Sequence, residues 1–217
     1  MSRRALEVTV TAPVASFRNP LYPWEQVGLP CPPPATVGGM LAAAVGGWHR
    51  VDPAFGFAMA FRAEASGIDV ETYRPLARGG RRTEATPMDR PYLWGVELTV
   101  WLLEDCEKWF RALRRPVWPL KLGRSQDLAV ARPRFVDLAE TPGTQGHALV
   151  PEQISAAGTL LRLPSAISLD RARTRWGSFC YDATGSTDAL ASGLSTEDGR
   201  AVVLLEEVHP TRAQEGA

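Results

Sequence analysis

The spacing of apolar residues switches from every second position to every third or fourth and back, twice, before residue 140. This switch restricts the fold more than any other feature. Residues 5–12 set Leu6, Val8 and Val10 against Glu7, Thr9 and Thr11, the period of a half-buried strand. Thr36 then reads as a helix N-cap, with Val37, Met40, Leu41, Ala44 and Val45 on one face and Gly46-Gly47 as the stop. Residues 53–65 alternate again through Phe55, Phe57, Met59 and Phe61, and the strongest strand runs from Tyr92 to Leu103. Glu104-Asp105 opens a second helix with Cys106, Trp109, Phe110 and Leu113 on one side. Pro116 ends it, and a last strand follows near residues 131–138.

That order predicts an α+β fold with a ferredoxin-like β-α-β-β-α-β domain over residues 1–140. Between its second and third strands, residues 66–91 are polar and arginine-bearing. Two weak strand patterns flank Gly79-Gly80, so a protruding hairpin is expected with Arg78, Arg81 and Arg82 at its tip. Residues 20–34 hold six prolines and predict an extended, irregular connection. Beyond residue 140 the expectation is a small β-rich portion over 141–210, with a loop at 139–158 and strands near 166–169, 176–181 and 201–208. A disordered tail is expected at 211–217. The alternating, acid-bearing start does not read as a signal peptide, and no apolar run approaches the ~20 residues needed to cross a bilayer. A cytoplasmic protein is expected.

The chemistry available is sparse. Cys31, Cys106 and Cys180 are far apart, as are His49, His147 and His209, and none forms the local pairs that metal sites draw on. Ser125 follows Arg124 in Gly123-Arg124-Ser125, which is not a nucleophile elbow, and no phosphate-binding P-loop is present. No metal, no cofactor and no catalysis are expected. The net charge is zero, which argues against a protein that coats nucleic acid indiscriminately.

Binding is better supported. Three segments set arginine beside or near small residues: Ser16-Phe17-Arg18, Arg78-Gly79-Gly80-Arg81-Arg82 and Leu122-Gly123-Arg124-Ser125. Glycine lets a phosphate approach backbone N–H groups while the neighbouring guanidinium neutralises it. Phe17, Tyr22, Trp24 and Trp118 could offer faces on which unpaired bases stack. On residue pattern alone, solvated surface arginines and core tryptophans remain equally good readings.

Three stretches resemble a known family. Thr11-Ala12-Pro13-Val14-Ala15-Ser16-Phe17-Arg18 looks like the opening strand and loop of the Cas-five family of CRISPR-associated (Cas) proteins, the small RAMP-type subunit of type I Cascade. Cys31-Pro32-Pro33-Pro34-Ala35-Thr36-Val37-Gly38-Gly39-Met40-Leu41 resembles its proline-rich approach to the first helix. Leu120-Lys121-Leu122-Gly123-Arg124-Ser125-Gln126-Asp127 is similar to its L-G-R-S-E-D element, with Gln126 where the family has an acid and Ala35 where it has serine. The three lie in the family's order and cover roughly the first 130 residues, with an I-B-like character.

The resemblance implies a RAMP fold whose thumb hairpin would span about residues 66–91. It implies a subunit of a ribonucleoprotein for antiviral defence that caps the 5′ handle of the crRNA. Its partners would be the repeated backbone subunit, the large subunit and, in the assembled complex, target DNA, with no membrane. RNA contacts carried over are Ser16, Phe17, Arg18, Thr36, Gly38, Gly39, Met40, Lys121, Gly123, Arg124, Ser125 and Gln126. The hairpin residues Arg78, Arg81 and Arg82 join them. In one branch this subunit cuts precursor RNA with Tyr, Lys and His. Here Leu122 follows Lys121 and no histidine lies between His49 and His147, so cleavage is not expected. A metal-independent endoribonuclease, or a ferredoxin-like small-molecule enzyme or sensor, are the alternatives.

Overall fold

In the computed structural model, residues 2–22, 25–74, 85–191 and 193–214 are described. The chain is mixed α+β and mostly antiparallel. Strand β1 (Ser2–Ala15) leads through the proline stretch to helix α1 (Pro34–Val45). Strands β2 (Phe57–Arg62), β3 (Ala65–Tyr73) and β4 (Thr86–Leu102) follow, then helix α2 (Cys106–Arg114) and strand β5 (Val130–Ala139). Six further short strands complete the chain: β6 (Gly143–Gly146), β7 (Val150–Pro151), β8 (Thr159–Ile167), β9 (Thr174–Tyr181), β10 (Ser186–Leu190) and β11 (Leu204–Leu205).

Among the described residues the main sheet has the order β11-β2-β4-β1-β5, and β3 also pairs with β4. β1 and β2 are each antiparallel to β4, which lies between them, so they run parallel to one another without touching. One face of this sheet carries α1 and α2. Leu6, Val8 and Val10 of β1, Val96, Leu98 and Val100 of β4, and Met40, Leu41, Trp109 and Leu113 of the helices meet there in one core. Each such side chain contributes about 1.5–3 kcal/mol by leaving water.

α1 begins two residues before the expected cap. Pro33 takes the N-cap place and Pro34 opens the helix, while Thr36 N–H already donates to Pro33 O at 2.9 Å. Proline suits this position because its fixed φ is pre-set for the helix and no N–H is lost. Gly46, at φ 100°, closes the helix as expected.

β2, β3 and β4 form one long hairpin in a single register: Arg62 faces Glu97 and Ala65 faces Trp94. The two strands are interrupted where Gly95 takes φ +58° beside the side chain of Glu64. Beyond that kink the ribbon leaves the packed sheet, and Ile68, Val70 and Trp94 are exposed. The pairing ends at Tyr73 opposite Thr86. The expected arginine tip, with Arg78, Arg81 and Arg82, lies outside the described residues.

The part after residue 140 packs into the same body. β11 adds to the main sheet beside β2, and Leu149, Leu163, Phe179, Tyr181 and Val208 enter the helix-side core. On the opposite sheet face Val202, with Leu194 and Leu204, covers Ala5, Ala58, Trp101 and Leu138. Two expectations need correction here. The loop at 139–158 holds β6 and β7, and the strand expected over 201–208 is only Leu204–Leu205. Of the tail expected over 211–217, residues 211–214 are ordered and 215–217 lie outside the described residues. Pro210–Ala213 forms a 3-10 turn with Pro210 and Ala213 buried, because His209 caps it by accepting the Thr211 N–H.

Candidate nucleic-acid interface

β1 ends at Ala15, and the next three residues take three different directions. Ser16 is buried; its hydroxyl donates to Pro91 O at 2.7 Å, which ties β1's end to the base of the β3–β4 ribbon. Phe17 turns into the core, 4% exposed, with its ring edge-on to Phe61 at 5.7 Å. It therefore offers no face to a base, contrary to expectation. Arg18 points to solvent, where its guanidinium reaches Tyr22 O at 3.4 Å. The chain then doubles back, with Asn19 N–H on Val27 O and Leu29 N–H on Phe17 O.

The loop after α2 closes on this corner. Gly123 adopts φ +109°, and a methyl group built on it would lie 2.8 Å from Ser16 O and 3.1 Å from Ser16 N. Only glycine permits both that backbone conformation and that approach. Asp127, 5% exposed, is the hub of the loop. Its carboxylate accepts the N–H groups of Ser16 and of Arg124, the latter at 3.0 Å. Its backbone closes the turn through Leu122 N–H to Asp127 O and Asp127 N–H to Arg124 O. Burial pushes the Asp127 carboxyl above its ordinary range, and the Ser16 N–H and the charge of Arg90 oppose that rise.

Arg124 lies across this hub. Its Nε is 3.5 Å from Asp127 Oδ2, close enough to feel the charge. Yet Nε and Nη1 are shielded from solvent and make no hydrogen bond. A guanidinium in that state has hydrogen-bonding capacity that the chain itself does not meet. Ser125 and Gln126 are exposed at the apex of the turn, and Lys121 is exposed on its approach.

Behind Ser16, Arg90 is buried and pairs with Asp69 at 2.7 Å and Glu71 at 3.0 Å. Gln26 reaches the same Glu71 at 3.3 Å. Hairpin, proline stretch and glycine loop are thus joined at one corner. A groove of about 420 Å³ opens beside it, lined by Arg18, Pro20, Pro33, Thr36, Pro164 and Ile167.

Of the residues expected to bind, Ser16, Arg18 and the 123–126 turn are brought together, and Thr36 shares a groove with Arg18. Gly38 and Met40 are buried in the core, so any effect they have on a ligand is indirect. Gly38 is needed for packing: a methyl there would meet the Trp48 ring at 2.9 Å. Gly39 faces open space. Asp127 and Arg90 were missed. Asp127 carried a signal, as the single acid inside a strongly basic stretch.

The family model described as CRISPR-associated protein (Cas_Cas5) matches residues 5–187. The chain belongs to the Cas5 family. No curated protein matches it in sequence. Solved structures similar in fold include a chain of a CRISPR RNA-guided surveillance complex, 15% identical with TM-score 0.57, covering 87% of this chain and 92% of that one. A chain of a Type III-B Cmr-beta complex bound to cognate target RNA and AMPPnP is 9% identical with TM-score 0.53, covering 83% and 85%. A CRISPR protein from Archaeoglobus fulgidus is 12% identical with TM-score 0.51, covering 94% and 99%.

His209 contacts Thr211 and Trp48 O, and His147 contacts Asp182 O. Among the described residues no group of His, Cys, Asp and Glu side chains is arranged to hold a metal ion. No helix among them is long and apolar enough to cross a membrane.

Proposed function

We propose that this Cas5 chain is a non-catalytic RNA-binding subunit of a type I CRISPR surveillance complex, holding the 5′ handle of the crRNA at the corner formed by Arg18, Thr36 and the Gly123–Gln126 turn. The sheet order and crossovers fit a ferredoxin-like RAMP domain over residues 1–140, with β3 and the outer part of β4 as the thumb. Its partners in this reading are the repeated backbone subunit, the large subunit and target DNA. The observation that carries the proposal is Arg124, whose guanidinium has two N–H groups without acceptors in the chain, on a turn whose neighbours Gly123, Ser125 and Gln126 are exposed.

The test is binding of labelled repeat RNA to the purified chain without metal. Arg124→Ala removes charge-assisted bonds of about 1.5–3 kcal/mol, so affinity should fall about 10- to 100-fold. Unchanged affinity would remove the main support. Site-specific cutting of the same RNA would replace the proposal with the endoribonuclease reading.

A further inference from the structure

The chain has no net charge, yet its charges are unevenly placed. Between residues 108 and 134 lie eight basic side chains and one acid, Asp127, which is buried. The acids at the start of α2 are already engaged: Glu104 with Arg3 at 2.6 Å, Glu107 with Arg4 at 3.4 Å and Asp105 with Lys108 at 3.6 Å. Within the basic stretch Arg124 lies on Asp127, Arg134 on Glu7, and Arg111 on the Glu107 carbonyl. Arg114, Arg115 and Lys121 are exposed and, among the described residues, pair with no carboxylate.

Between these three cations stand Val117 and Trp118, 57% and 59% exposed. Their backbone is not loose. Val117 N–H donates to Ala44 O at 3.0 Å and Trp118 N–H to Ala43 O at 3.3 Å, which fixes the segment to the C-terminal end of α1. Val117 also packs on Gly46. A wide indole face is therefore left in water on an anchored backbone, between cations that pair with no carboxylate among the described residues, Arg114 lying over the Phe110 ring at 5.8 Å. Protein interface cores are depleted of charge, whereas single-stranded nucleic acid calls for an aromatic platform flanked by cations.

The position matters as well. The Arg18–Thr36 groove lies at the first turn of α1 and Trp118 at its last, and a helix of 12 residues is about 18 Å long. Lys121 and Gly123 carry the same loop from one end toward the other.

We propose that Arg114, Arg115, Trp118 and Lys121 form a second contact for single-stranded RNA, in which one base stacks on Trp118 and the flanking phosphates are neutralised by the three cations. The inference rests on the reading that the Gly123–Gln126 turn holds the RNA end, and it extends the path of that strand.

The experiment measures the affinity of the full chain for a fluorescein-labelled oligoadenylate of ~16 nucleotides, by anisotropy at several salt concentrations. Trp118→Ala should weaken binding about 5-fold or more, and Trp118→Phe should recover most of it. Arg114→Ala with Arg115→Ala should lower the salt slope by roughly 1.4. Arg124→Ala, run in parallel, reports on the first contact. If only Arg124→Ala weakens binding, the second contact is overturned and the first stands. If only Trp118→Ala does, the RNA lies at the second contact and the handle reading falls. A wild-type chain that binds no RNA ends both. Intact RNA affinity in Trp118→Ala, with loss of a neighbouring subunit in co-purification, would make this surface a protein contact and overturn the proposal.

Discussion

Asp127 is where the architecture of the corner can be broken with one substitution. Asp127→Ala leaves the N–H groups of Ser16 and Arg124 without their acceptor in a site that is 5% exposed. A buried backbone donor stripped of its partner costs about 1–3 kcal/mol, so two predict a loss of about 2–6 kcal/mol. The lower half of that range applies if the loop opens enough for water to reach either N–H. A domain of this size melts about 2–4 °C lower per kcal/mol, which places the expected drop at about 4–24 °C. RNA affinity should fall with it, because Gly123 and Arg124 lose their tie to Ser16. Calorimetry of both proteins, with anisotropy below the lower melting temperature, tests the two effects separately. A variant that melts within about 1 °C of wild type would refute the assignment of Asp127 as the hub.

Asp127→Asn keeps the shape and discards the charge, which gives the argument a pH dependence. Burial raises this carboxyl in the folded state, so the folded chain holds its proton more tightly than the unfolded one. Its contribution to stability is then greatest at low pH. It declines as pH rises from the ordinary carboxyl value through the raised one. The amide does not titrate. The deficit of Asp127→Asn relative to wild type should therefore be largest in acid and shrink toward neutrality. A deficit that grows toward neutrality would show that partner charges outweigh burial.

Three further outcomes are expected. Gly123→Ala forces a left-handed backbone position onto a residue with a side chain and presses a methyl on Ser16 O; about 1–3 kcal/mol should be lost in urea unfolding, with weaker RNA binding. Glu7 accepts from Trp101 Nε1 at 2.9 Å and pairs with the exposed Arg134 and the part-exposed Arg200, so Glu7→Leu strands the buried Trp101 N–H and should destabilise by about 1–3 kcal/mol in denaturant titration, and a neutral effect would refute its role. Cys31 is fully buried and its thiol is pushed well above the ordinary range, so it should resist iodoacetamide in the native chain and react in urea, as read by peptide mass spectrometry.

Strands β1, β2, β4 and β5 were legible because each has one face in or against the helix-side core, and that face repeats with period two. The two helices were legible for the same reason, with Met40 and Trp109 on their buried stripes. What period-two reasoning could not show is that the other face of the sheet is covered too. Glu7 reads as the solvent side of β1, yet it is 3% exposed because the segment around Val202 folds over it from nearly 200 residues away. The unbroken register through Arg62 and Ala65 was equally hidden, since Glu64 and Gly95 interrupt the apolar pattern where the ribbon leaves the core.

At the site, composition identified the segments and misjudged which of their atoms are exposed. Ser16-Phe17-Arg18 looks like a contiguous binding motif, but Ser16 is held on Pro91 O and Phe17 packs on Phe61, so only Arg18 remains outside. The same logic separates Gly38 and Met40, on the packed side of α1, from Gly39 on the open side. Trp118 follows the opposite course: a tryptophan in an apolar stretch is ordinarily core, and here its backbone is tied to the C-terminal end of α1 while its side chain is left 59% exposed. A chain truncating Trp118 to alanine should accordingly keep its melting temperature while losing RNA, the reverse of what truncating Phe17 would do. That opposition separates a binding surface from a core on measurement alone.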